Sequence, residues 1–398
     1  TIIKGTILSA PTPGQLDALP GGYLVAEDGL IRGVYGSLPE QYAGAPVEDW
    51  GDALILQSFA DLHLHAPQYP MLGMDLPLLD WLNAYAFPTE ARFADTGYAR
   101  EIYSRLAREL IANGTTRVCM FSSLHTDATL ILMEELEKAG VTGYVGKVNM
   151  DRNAAPGLLE ETTEESRRET LRWLDACQDF RLVKPMLTPR FTPSCTDELM
   201  AFLGKLAAER DLPVQSHLSE NRSEIAWVGQ LHPECASYTE VYRDYGLLRR
   251  GCTIMAHAVH LTGREEAILR EEGVTLAHCA QSNTNLSSGV MPLRRSLSEG
   301  LRCCVASDVA GGHAAAMNRH VAATVGLSKL RALDHMEERP LSLPEALYLA
   351  TKGPGEFFGK VGSFEPGYDF DALVVDVDEL DGRLSRTPFE KLEQFLYD

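Results

Sequence analysis

The 398-residue sequence has no long apolar run, no Cys-x-x-Cys pair, no excess of basic residues, no internal repeat and no low-complexity tract. Without an apolar stretch near the roughly 20 residues that span a bilayer, no transmembrane helix is expected. With 36 Lys+Arg against 56 Asp+Glu, the formal net charge is −20. A nucleic-acid binder shows a basic stripe, and none is present, so the acidity is read as solubility rather than as a partner signal. The eight cysteines (119, 177, 195, 235, 252, 279, 303 and 304) are irregularly spaced. Several, such as Cys119 and Cys252, sit inside apolar runs, which points to free thiols acting as small hydrophobes. The N-terminus opens directly in a strand-like stretch, Ile2–Leu8, with no charged segment leading into an apolar one. The expected compartment is therefore the cytoplasm.

What is present is a regular series of short β-type runs: 53–62, 116–121, 142–149, 181–187, 213–216, 253–256, 274–277 and 302–306. Most gaps carry helical periodicity, as in 98–113, 163–178, 196–209 and 265–272. Gly114, Gly140, Gly251, Gly273 and Gly300 stand where a helix must stop before the next strand. Eight strands alternating with helices predict an α/β fold, a (β/α)8 TIM-type barrel over 53–360. The competing doubly wound sheet usually carries a glycine-rich phosphate loop after an early strand, and none follows Leu62. Residues 1–52 and 361–398 lack the alternation and show short β runs between Gly/Pro turns. They predict one small β-sandwich domain formed by both termini.

Polar residues gather after the runs: His63-Leu64-His65, Ser122–His125, Met150–Arg152, Thr188–Phe191, His217–Glu220, His257, His278 and Ser307-Asp308. Barrel enzymes build their sites at this end of the strands. In His-x-His the alternation of a strand turns both imidazoles to one face. Together with His217 and Asp308 they make a three-histidine, one-carboxylate set suited to Zn2+, with Fe2+ or Mn2+ also accepted. Such a set leaves room for a water of lowered pKa. Glu220, three residues after His217, can take and return a proton, and His257 can stabilise a developing oxyanion. Taken singly, each has a plainer reading: a structural histidine, a solvated loop carboxylate, or Asp308 as a helix N-cap. What favours the metal is that all of them fall at strand ends.

This combination resembles the amidohydrolase superfamily. The segments DLHLHAPQYP (61–70), MDLPLLDWLNAYAFPTEARF (74–93), TPRFTPSC (188–195), QSHLSEN (215–221), MAHAVHL (255–261), AHCAQSNTNLSSG (277–289) and SDVAGGHAAAM (307–317) look like those of the guanine deaminases within it. The similarity runs from about residue 55 to about residue 377. The resemblance implies that His63, His65, His217 and Asp308 bind one zinc per chain. It implies that Glu220 and Asp308 move protons, that His257 polarises the attacked centre, and that Gln68, Arg190, Phe191 and Glu220 hold the purine. The implied reaction is hydrolytic deamination of guanine to xanthine and ammonia, by a homodimer. Gln57-Ser58, Ala258 and Ala280-Gln281 depart from the family pattern, and the small β domain is expected to lack one or two C-terminal strands.

Two other functions remain open at this point: deamination of a related ring (8-oxoguanine, a pterin, an aminotriazine), or a non-catalytic barrel scaffold. Cytidine-type zinc deaminases need His-x-Glu with Pro-Cys-x-x-Cys, and His335-Met336-Glu337 supplies only the first half. His125 also lies at a strand end, where it is a candidate to line the pocket. Lys184 sits in the fourth run, where binuclear relatives carry a carboxylated lysine, but it lies six residues before Arg190, towards the middle of that run.

Overall fold

The apolar runs fold as strands in the structure, a computed structural model that describes residues 1–155, 157–377 and 386–398. Pro156 and residues 378–385, the latter within the C-terminal segment assigned to the small β domain, lie outside the described residues. In chain order the strands are β1 (Ile2–Ser9), β2 (Asp17–Glu27), β3 (Leu30–Tyr35), β4 (Glu48–Gln57), β5 (Phe59–His65), β6 (Thr115–Phe121), β7 (Thr142–Gly146) and β8 (Val148–Asn149). They continue as β9 (Val183–Pro185), β10 (Thr188–Pro189), β11 (Val214–Leu218), β12 (Thr253–His257), β13 (Thr275–His278), β14 (Arg302–Val305) and β15 (Ala372–Val375).

Both ends of the chain meet in a five-stranded sheet of order β15-β4-β1-β2-β3. Its face is closed by Ile3, Ile7, Leu24, Ile31, Ile55 and Phe364. Two parallel sheets, β5-β6-β7-β9 and β11-β12-β13-β14, form the barrel wall. On one side Leu187 joins them: its N–H donates to Pro213 O, and its carbonyl accepts from Gln215 N, both at 2.9 Å. On the other side Asp308 N donates to His63 O at 2.8 Å and His65 N to Val309 O at 2.9 Å. The ring is therefore hydrogen-bonded around its circumference, and one seam runs through the His-x-His strand itself.

Three sequence expectations change in detail. The run 53–62 is two strands, because β4 pairs with β1 and β15 while β5 turns into the barrel. The run 142–149 also divides: β7 stays in the wall, and β8 pairs with β10 above it. Residues 388–397 form a helix capped by Thr387, not a strand, and bury Leu392 and Leu396.

The outer helices follow their apolar spacing. Thr96–Ala112 buries Ala99, Ile102, Tyr103, Leu106, Ala107 and Leu110, one stripe at i, i+3, i+4 and i+7, after an Asp95 N-cap. Each large apolar side chain so buried contributes roughly 1.5–3 kcal/mol. Thr126–Ala139 stops at Gly140 (φ 80°), where the left-handed turn sends Val141 N back to Leu136 O. The barrel strands bury a separate apolar cluster of mixed size that includes Ala60, Leu62, Cys119, Met186, Ile254, Ala277, Cys304 and Ala306. All eight cysteines are free, as their irregular spacing predicts. No helix among the described residues is long and apolar enough to cross a membrane.

Candidate functional site

The C-terminal ends of β5, β11 and β12, and the turn after β14, converge on one buried point. His65 Nε2 and His217 Nε2 are 3.0 Å apart. Asp308 Oδ1 lies 3.3 Å from His63 Nε2 and 3.6 Å from His65 Nε2. Donors held about 2.0–2.2 Å from a tetrahedral ion stand roughly 3.3–3.6 Å from one another, so this spacing fits a first-row metal. The tautomers fit as well. His63 Nδ1 is 3.1 Å from Gln215 Oε1, whose amide nitrogen donates to Leu62 O, and His217 Nδ1 is 2.5 Å from Arg190 O. His63 and His217 thus use Nδ1 outward and leave Nε2 for the centre, the arrangement that orients a metal-binding histidine.

The charges are also suited to a cation. Burial, followed by repulsion from neighbouring imidazoles, holds His65 and His217 well below the usual histidine range, so both are neutral. Burial opposes ionisation of Asp308, but His63, His257 and His65 outweigh it and keep the carboxylate charged. Cys279 is close to His63 and Asp308, yet burial pushes its thiol pKa far up and Sγ faces Ala277 O.

Glu220 and His257 flank the centre. His257 Nε2 is 3.4 Å from Glu220 Oε2 and 3.8 Å from Asp308 Oδ2, while its Nδ1 is 2.9 Å from Asn283 Oδ1. Glu220 Oε1 accepts from Ser288 Oγ at 2.8 Å, and burial raises its pKa. His257 is raised too: burial pulls it down, but the Glu220 and Asp308 charges prevail. The backbone is strained here, since Ser219, His257, Ala258 and Asp308 all have φ between 47° and 73° without being glycine. Such conformations cost on the order of 1–3 kcal/mol each and persist where surrounding packing enforces them.

Beside this centre is a cavity walled by Gln68, Arg190, Phe191, Glu220, Glu224, Leu78, Trp81, Leu82 and Leu286. Its roof is the insertion after β5, where the helical segments Leu78–Trp81, Leu82–Ala86 and Phe87–Ala91 follow one another. All nine residues singled out from the sequence therefore surround one cavity or lie directly beneath it. His125 does not join them: it lies in a separate hollow with Thr96, Asp127 and Glu169. Lys184 is exposed and bonds to Phe180 O, away from the centre.

Sequence reasoning passed over Glu90, Gln215, Glu224, Asn283 and Ser288, although all lie within or between the segments quoted above. Gln215 was detectable, because it sits two residues before His217 on the same strand and so shares its face. Glu90 and Ser288 carried no such signal. Of the departures, Gln57 is buried and accepts from Ala10 N at 3.1 Å, tying β4 to the end of β1. Ala280 and Gln281 open the short helix that presents Asn283 to His257.

A family model described as the amidohydrolase family matches residues 54–395. The guanine deaminase of Rattus norvegicus is 43% identical over 328 residues, which cover 81% of this chain and 72% of that protein. That of Dictyostelium discoideum is 35% identical over 427 residues, covering 100% of this chain and 94% of that protein. A solved guanine deaminase from C. acetobutylicum with guanine bound in its active site matches at TM-score 0.97 and 43% identity. The match covers 100% of this chain and 95% of that one.

Proposed function

The chain belongs to the amidohydrolase family, and on that premise we propose that it is a guanine deaminase, hydrolysing guanine to xanthine and ammonia. The observation that carries this reading is His65 Nε2 lying 3.0 Å from His217 Nε2 and 3.6 Å from Asp308 Oδ1, beside a cavity walled by Gln68, Arg190 and Phe191. We assign His63, His65, His217 and Asp308 to one zinc ion, a role that Fe2+ or Mn2+ can also fill. Bound there, the ion would supply Lewis-acid activation of a water molecule.

The remaining steps belong to this chain's own side chains. Glu220 takes the proton released by the attacking water and delivers it to the ring nitrogen next to C2. Its raised pKa, caused by burial, suits a group that must both accept and donate. His257, held by Asn283, hydrogen-bonds the oxygen added at C2. A second proton, carried by Glu220 and Asp308, goes to the 2-amino nitrogen. The C2–N bond breaks, ammonia leaves, and the new C2–O bond remains in xanthine. Gln68 reads ring nitrogens as donor and acceptor, Arg190 donates to the 6-oxo group, and Phe191 supplies an apolar wall. We also take the protein to be a cytoplasmic homodimer, on the family resemblance.

The test is ammonia and xanthine formation from guanine, with and without a chelator, alongside metal content. A preference of tenfold or more for another amino-substituted ring would overturn the substrate assignment, and purified protein free of stoichiometric metal would point to a scaffold.

A further inference from the structure

The proposed chemistry leaves Glu90 without a task, yet Glu90 is 1% exposed and holds both polar walls of the purine cavity. Arg190 grips it as a fork, with one terminal nitrogen 2.6 Å from Oε2 and the other 2.9 Å from Oε1. Gln68 Nε2 donates to Oε1 at 2.8 Å. On its other side Gln68 Oε1 accepts from Ala310 N at 3.1 Å, so the amide cannot flip without losing both bonds. One N–H and one lone pair of Gln68 are left for the cavity. Arg190 likewise keeps an N–H on each terminal nitrogen beyond the pair bonded to Glu90, and its Cζ lies 5.3 Å from the Phe87 ring centroid.

The charge balance matters as much as the pose. A buried guanidinium without a counter-ion is an anion site. Paired with Glu90, Arg190 presents directed donors with no net charge. Substrate and product differ in this respect: replacing the 2-amino group by an oxo group creates an imide N–H, which makes xanthine a stronger acid than guanine.

We propose that Glu90 is a positioning and specificity residue: it orients Gln68 and Arg190 and neutralises Arg190, so that the pocket favours the neutral purine and releases the product as its anion. This rests on the guanine deaminase reading above. Glu90→Gln keeps the shape and removes the charge, leaving Arg190 to attract anions.

The experiment measures guanine kinetics and xanthine inhibition for wild type, Glu90→Gln and Glu90→Asp, from neutral to mildly alkaline pH. For Glu90→Gln, guanine KM is expected to rise by about tenfold or more, the size of one charge-assisted hydrogen bond, with a smaller change in kcat. Xanthine should inhibit more tightly than in wild type, and increasingly so as pH rises and the product ionises. Glu90→Asp, which keeps the charge, should restore the wild-type response to xanthine. If KM and the xanthine inhibition constant weaken together in Glu90→Gln, or neither moves, the proposal is wrong. Equilibrium binding of guanine and xanthine at two pH values reads the same preference without turnover. Absence of ammonia release by wild type would thus defeat the functional reading separately from this one.

Discussion

The backbone carbonyl of Arg190 lies 2.5 Å from His217 Nδ1, while the side chain of the same residue forks onto Glu90. One residue therefore orients the His217 imidazole, a proposed metal donor, and walls the cavity proposed for the purine. The donors proposed for the metal and the walls proposed for the purine are thus placed against each other by a single stretch of backbone after β10.

Removal of the metal tests the donor set. Dialysis against a strong chelator should abolish ammonia release from guanine, and added zinc should restore it. Asp308→Ala and His63→Ala should each fail to retain stoichiometric metal, as read by elemental analysis of the purified protein. Full metal content in both variants would place the ion elsewhere.

Gln215 fixes the tautomer of His63 without reaching the centre. Gln215→Leu is expected to weaken metal affinity by about 10–100-fold, as loss of an outer hydrogen-bond partner does. Excess zinc should recover most of the turnover. A competitive chelator titration separates this outcome from a simple folding defect.

Glu220→Gln keeps the shape and the Ser288 hydrogen bond but cannot shuttle protons. It should retain metal and lose about 10²–10⁴-fold in kcat. Ser288→Ala should cost less, about tenfold, since it only frees the carboxylate. Near-normal turnover by Glu220→Gln would remove the role assigned to it.

His320 gives a pH dependence of stability apart from the site. Burial is the main reason its pKa falls from 6.5 to about 4 in the folded protein. Between those values the unfolded chain binds the extra proton, so stability decreases as pH falls through this window. At pH 5 the cost is about 2 kcal/mol. The urea midpoint of wild type should therefore drop more between pH 7 and pH 5 than that of His320→Gln, which retains a donor for Ala314 O. Equal drops would contradict the burial account.

The repeating strands and the ligand types were legible in the sequence because both depend on local rules. Strand alternation puts His63 and His65 on one face, and helix-stop glycines mark where each strand begins. The divisions at Ser58 and Lys147 were not legible. An apolar run carries no sign of which partner strand it will meet, and Ala53–Gln57 is as apolar as the barrel strand that follows it. The C-terminal helix was missed for a similar reason, since a short segment far from its packing partner shows only its composition.

The sequence by itself determined the eight-strand alternation, the three histidines and two carboxylates at strand ends, and hence the class of chemistry. Those features follow from periodicity and side-chain type, which neighbours along the chain already express. Only the tertiary structure decided that Glu90, 100 residues from Arg190, neutralises it, that Gln215 orients His63, and that His125 stands apart. These placements, like the ring closure through Asp308 N and His63 O, bring together or separate residues far apart in sequence, which local rules do not encode.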